Sequence, residues 1–164
     1  MKILISTITA LNLLLSNGSS VAPSNVNRSP RIIDAFILAY DAMIKGNNEP
    51  ILDYLILDME SIYFTDTTAE ERQKAIQYFQ KYNKPVLNAS LFKLQQIGLA
   101  DEIGNLKMKG TLLMMTSVQS GEKQELIVEG YKYYGPVGAA RFKITLDVIN
   151  DKWQVIKVDL LSIS

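Results

Sequence analysis

The residue types that most often do chemistry are largely missing from this chain. Its 164 residues include no histidine and no cysteine. Without histidine there can be no Ser-His-Asp or Cys-His triad, no imidazole base and no zinc site of the usual kind. Without cysteine there are no disulfides and no thiol chemistry. A phosphate cradle needs a glycine-rich turn that opens a helix. The nearest candidate, Gly135-Pro136-Val137-Gly138, joins two strand-like runs instead. Carboxylates remain, and paired acids can do acid–base work when their surroundings drive their pKa values apart. Asp53 and Asp58 lie five apart on one segment, which is not one helix face. Glu70 and Glu71 read as first-turn charges that suit a helix dipole. No catalytic residue, metal ligand or cofactor is assigned.

Tyrosine, with eight copies, is the enriched type. Tyr131, Tyr133 and Tyr134 cluster at one hairpin end, while Tyr40, Tyr54, Tyr63, Tyr78 and Tyr82 fall in the N-terminal half. Aromatics of this kind usually fill cores and rims. Two sharper expectations follow from the strand pattern described next. Tyr131, Tyr133, Arg141 and Trp153, with Ile127, Val155 and Leu161, are expected to share the sheet face opposite the helices and to form a partner or self-association surface. Phe36, Tyr40 and Met115 are expected to line a cavity between helices and sheet that would take a small apolar ligand.

The elements that must position these residues are clearest in the last third. Ala140, Phe142, Ile144, Leu146 and Val148 alternate with Arg141, Lys143, Thr145 and Asp147, the period of a half-buried strand. A second strand runs from Trp153 to Ile163. A two-residue Asn150-Asp151 turn would set Ile144 opposite Lys157. A three-residue loop through Lys152 sets Ile144 opposite Val158, Phe142 opposite Leu160 and Leu146 opposite Ile156, and only this register buries the apolar set. The preceding strand, 125–134, joins through Gly135-Pro136-Val137, setting Val128 against Ile144 and Glu129 against Lys143. A further strand near 107–119 carries Leu112, Leu113, Met114 and Met115, apolar on both sides.

Upstream, the pattern is helical. Ser29 with Pro30 caps a helix whose stripe is Ile33, Phe36, Ile37, Tyr40, Met43 and Ile44, ended by Gly46-Asn47. Pro50 starts a segment, 51–59, read as a buried helix, and Ile62-Tyr63-Phe64 reads as a short strand. Thr67 with Glu70, and Thr68 with Glu71, both match a capping box before the stripe Ala75, Ile76, Phe79 and Tyr82, which stops at Asn83-Lys84-Pro85. Ser90 caps a last short helix, 91–97, ended by Gly98. The resulting class is α+β, with N-terminal helices on a curved antiparallel C-terminal sheet in a single domain, 29–164.

Lysine plus arginine equals aspartate plus glutamate, so the net charge is zero, which argues against a nucleic-acid or anionic-membrane footprint, since either needs a basic field. Residues 1–22 carry one lysine, a mostly apolar run from Ile3 to Leu15 and a mostly small, polar stretch, which reads as a signal peptide. Residues 23–28 read as a flexible linker. The run is too short for a comfortable membrane span, and export is expected. Asn17, Asn27 and Asn88 each begin a glycosylation acceptor pattern, which matters only in a eukaryotic secretory pathway.

The order of elements, with Gly135-Pro136-Val137-Gly138-Ala139-Ala140, Phe142-Lys143-Ile144-Thr145 and Asp151-Lys152-Trp153-Gln154-Val155-Ile156-Lys157-Val158, resembles the nuclear transport factor 2-like (cystatin-like α+β) superfamily, in particular its small exported bacterial members. The resemblance covers about 29–164 and implies a cone-shaped cavity between helices and curved sheet. Some members of that family are isomerases or dehydratases, and many are binding or dimerisation modules. The dehydratase histidine has no counterpart here, and an isomerase-like acid and tyrosine match no particular positions. The expectation is a non-catalytic exported domain that binds a protein partner or a second copy of itself. The alternatives are a small-ligand carrier and a carboxylate-dependent isomerase or lyase.

Overall fold

The structure, a computed structural model, describes residues 30–123 and 125–164. The leader and linker read at 1–22 and 23–28, the acceptor sites Asn17 and Asn27 and the Ser29 cap lie outside the described residues. The fold is α+β. Helix α1 (Ile32–Lys45) is followed by β1 (Tyr54–Leu57), α2 (Ala69–Phe79), β2 (Val86–Asn88), α3 (Leu91–Gln96) and four long strands, β3 (Gly110–Ser120), β4 (Leu126–Gly135), β5 (Gly138–Ile149) and β6 (Lys152–Ile163). One open six-stranded sheet has the order β2-β1-β3-β4-β5-β6.

The sheet is mixed, and this corrects the antiparallel expectation. β1 runs parallel to both of its neighbours, β2 and β3. The segment read as a helix at 51–59 contains β1. An apolar run of this length does not distinguish a buried strand from a helix by periodicity. Here pairing on both sides decides, and Leu55, Ile56 and Leu57 are fully buried because both faces of β1 are covered. The same holds for Leu112 and Leu113 beside it, one on each face. Ile62–Phe64 forms a turn of 3-10 helix rather than a strand.

Two cores result. The main one packs α1 and α2 on the face that carries Leu55, Leu57, Leu113, Val128, Phe142, Ile144 and Leu146. The smaller one packs Leu94 of α3, with Ala89 and Ala100, on Ile56 and Leu112 of the opposite face. Close approach of α1 requires Gly130, where a Cβ would run into the Met114 carbonyl oxygen and the end of Met43. The Thr68–Glu71 pair forms the capping box of α2. Thr67 instead donates its hydroxyl to Phe64 O at 2.7 Å.

Both C-terminal hairpins share one device. β5 and β6 are joined by a two-residue turn, with Asn150 and Asp151 at φ 52° and 59°. This is the type I′ geometry that fits strand twist. The turn pairs Ile149 with Lys152 and Leu146 with Val155. Ile156 is then the extra residue of a bulge, after which Ile144 faces Val158 and Phe142 faces Leu160. The expected register therefore holds in the middle of the hairpin and fails near the turn, where Leu146 faces Val155 rather than Ile156. A second bulge at Leu161 leaves Arg141 opposite Ser162. Between β4 and β5 the pairing Gly135–Gly138 leaves a two-residue turn, Pro136-Val137, and a register shift beyond it restores Val128 to Ile144 and Glu129 to Lys143.

Candidate docking edge

β6 is the last strand of the sheet and, among the described residues, has no strand on its far side. Its backbone polar groups on that side are a template for another strand. Its side chains add to this. Val155, Ile156, Val158, Leu160, Leu161 and Ile163 are all between 37% and 60% exposed, half of the residues in the strand. Their counterparts on β5, namely Ala140, Phe142, Ile144 and Leu146, are fully buried under α1. The core stops at the sheet edge, and the apolar character of the strand does not.

Between α1 and β6 lie two adjoining grooves. One, of about 520 Å³, is lined by Pro30, Arg31, Asp34, Ile37, Leu38, Tyr78 and Trp153 among others. The next, of about 320 Å³, is lined by Leu38, Asp41, Ala42, Lys45, Gly46, Val155 and Val158. Beside the second groove is an ionic knot. The carboxylate of Asp41, almost wholly buried, accepts from Lys45 Nζ at 2.6 Å, Lys81 Nζ at 2.5 Å and Tyr82 Oη at 2.8 Å. Lys81 Nζ also lies 3.7 Å from the centre of the Tyr78 ring. Burial alone would raise the Asp41 pKa, but the Lys45, Lys81 and Tyr82 donors outweigh it and hold it below the usual carboxylate value. The knot ties α1 to the turn after α2. It is a structural arrangement, with both oxygens of the carboxylate engaged, Oδ2 by Lys45 and Oδ1 by Lys81 and Tyr82.

The four residues expected to form one outer surface are split by the structure. Tyr131 and Arg141 do face each other across β4 and β5, and Arg141 pairs with Glu129 at 2.6 Å. Tyr133 is on the same face, but α3 and the 99–108 segment cover it, and its hydroxyl donates to Gly104 O at 3.0 Å. Trp153 is on the opposite face. The two-residue turn places it across from Val148, so it packs against the main core and donates Nε1–H to Arg31 O at 3.1 Å. Val155 moves to the helix side with it. Leu161 is a bulge residue.

Phe36, Tyr40 and Met115 are brought together, all buried within the main core. The Phe64 ring packs on Phe36 at 5.0 Å and on Tyr40 at 6.1 Å. Tyr40 donates its hydroxyl to Asp58 O at 2.6 Å, and burial raises its pKa well above the ordinary value. Asp58 is half-buried, and burial pushes its carboxyl pKa up. Asp58 Oδ1 accepts from Glu60 N at 3.1 Å. The carboxyl ends of β1 and β2 open onto a shallow crevice lined by Glu60, Ser61, Arg72 and Asn88. The strand order reverses there, since the parallel neighbours β2 and β3 lie on either side of β1, the position where parallel sheets bind ligands. Its groups are largely engaged: Glu60 caps Ser90, Asn88 holds Met59 N, and Arg72 donates to Phe64 O and Thr67. Among the described residues, no group of three or more acidic side chains is placed to hold a metal ion, and no helix is long and apolar enough to cross a membrane.

Sequence reasoning missed the edge itself. A signal was present in the doublets Val155-Ile156 and Leu160-Leu161, which break the alternation of β6 where its bulges fall. It also missed Lys132, a fully buried lysine on β4. Lys132 Nζ donates to Ile44 O at 3.2 Å, Asn47 Oδ1 at 2.8 Å and Glu49 O at 2.5 Å, closing the C-terminal end of α1. Comparison with protein-family models, with curated proteins and with solved structures gave no match.

Proposed function

We propose that this protein is an exported, non-catalytic interaction module that accepts an extended protein segment along the free edge of β6. The observation that carries the reading is the row of exposed Val, Ile and Leu side chains on a twelve-residue edge strand. Natural proteins usually protect such an edge with charge, proline or a covering element. β6 has no proline, its charges Lys157 and Asp159 neutralise each other in an ion pair, and its two bulges leave 157–160 regular, so a strand added to it would gain main-chain hydrogen bonds as well as apolar cover. This moves the interaction surface from the outer sheet face to its rim. The α1–β6 grooves flank the rim and would hold side chains of the added strand. In the same reading the fold is of the nuclear transport factor 2-like, cystatin-like kind, a reading supported by N-terminal helices laid against a long C-terminal meander.

The test is native mass spectrometry of protein purified gently from its own host, wild type beside Val158→Lys. Wild type is expected to carry a protein partner or a second copy, and the variant to be bare with an unchanged circular dichroism spectrum. A wild type that is bare, or a variant that keeps its partner, would defeat the proposal.

A further inference from the structure

We infer that the segment taken up by β6 is the β6 of a second copy, paired antiparallel about a twofold axis at Val158. This inference rests on the edge-docking reading and names its occupant. A twofold axis relating two antiparallel edge strands stands normal to the sheet. It keeps each copy's helix side facing the same way, so only registers that pair like faces are allowed. Centring on Val158 sets Lys157 opposite Asp159 of the second copy, and Asp159 opposite Lys157. Both residues lie on the face away from α1, where they already form an ion pair of 2.9 Å within the strand. The two pairs would merge into a ring of four alternating charges.

The rest of the strand agrees with that centre. Val158 meets Val158, Ile156 meets Leu160, Val155 meets Leu161, and Trp153 meets Ile163, so apolar residues meet only apolar residues. Gln154 meets Ser162 on the charged face. The neighbouring allowed centres fail. Centring on Lys157 sets two ammonium groups against each other, and centring on Asp159 does the same with two carboxylates. Moving a further step, to Ile156 or Leu160, sets Asp159 opposite Trp153 or Leu161. Like charges directly opposite are unfavourable, and opposite charges favourable. The two bulges, Ile156 and Leu161, fall on either side of the centre and leave a regular segment, 157–160, across the axis. The sequence of β6 is therefore complementary to itself in one register.

The absence of natural cysteine makes the register directly readable. In single variants Ile156→Cys, Val158→Cys and Leu160→Cys, only the Val158 position lies opposite its own copy. The other two would sit four residues from their copies along the strand, about 13 Å away. Oxidation, or a short thiol-to-thiol crosslinker, is expected to trap a dimer of Val158→Cys and leave the other two monomeric on a denaturing gel. Lys157→Asp is expected to weaken the dimer about tenfold or more in sedimentation equilibrium, and Lys157→Asp with Asp159→Lys to restore it. Circular dichroism and urea midpoints confirm that each variant is folded. A dimer trapped best at another position overturns the register. A wild type that sediments as a monomer at every concentration overturns the dimer. If that monomer still loses a host protein on Val158→Lys, the edge-docking reading stands alone, and if no partner exists both fall.

Discussion

Replacing Asp41 by asparagine keeps the shape of the side chain and removes its charge. Asparagine can still accept from Tyr82, so the loss is confined to the two ammonium partners. Their worth follows from their exposure. The Lys45 side chain is 65% exposed and that of Lys81 38%, against 8% for Asp41. An exposed pair contributes about 0.2–1 kcal/mol, and solvent screens the lysine ends here. Removing one partner of a fully buried pair would cost about 3–5 kcal/mol. The knot falls between these limits, nearer the exposed one, and Asp41→Asn is expected to lower stability by about 1–2 kcal/mol at pH 7. The pH dependence is the sharper check. The folded-state pKa of Asp41 is lowered, so as pH falls the unfolded chain takes up this proton first. The stabilisation is present above the unfolded value and is lost as pH falls through the folded one. Urea unfolding of both proteins at one fixed concentration, from pH 7 downward, should show the two midpoints converging in the acid range. A gap that stays constant to low pH would refute the charge argument, and so would a variant more stable than wild type.

Lys132→Ala removes three hydrogen bonds at the end of α1 and opens a void beneath it, so a loss above about 2 kcal/mol in urea unfolding is expected. Gly130→Ala should cost about 1–3 kcal/mol, because the added carbon meets backbone as well as a flexible methionine. Asp151→Gly should raise the thermal midpoint slightly, by up to about 1 kcal/mol of stability, since the second turn position has φ 59°. Thr68→Ala breaks the capping box of α2 and should cost about 1 kcal/mol, read by the same urea titration.

What the sequence made legible follows from which signals are local. The alternation of β5 gave its buried face correctly, and the middle of both hairpins pairs as the pattern requires. The turns were misjudged because a tight turn followed by a bulge yields the same downstream register as a longer loop. Trp153 and Val155, lying between turn and bulge, were therefore put on the wrong face. β1 was misread for a different reason. Its four residues are strand only because Gly110–Leu113 and Val86–Asn88 come to them from far along the chain, and no local period records that. The cover that α3 gives Tyr133 is equally nonlocal. The exposed edge needed a strand order as well as strand assignments, since an apolar strand is unremarkable in a sheet interior and consequential at its rim.

The parallel placement of β1 also bears on how the chain reaches this state. The four C-terminal strands are joined as successive hairpins between sequence neighbours, each needing only a short loop to close. β1 cannot be placed that way, because Tyr54 meets Gly110 only after α2, β2 and α3 have been looped out. Loop closure of that length is entropically slow, and long-range pairing is what retards folding. The expectation is that β1, buried on both faces, is added late, onto a meander already built. Conservative truncations such as Leu55→Ala should speed unfolding and leave the folding rate nearly unchanged, whereas Ile144→Val in the meander should slow folding.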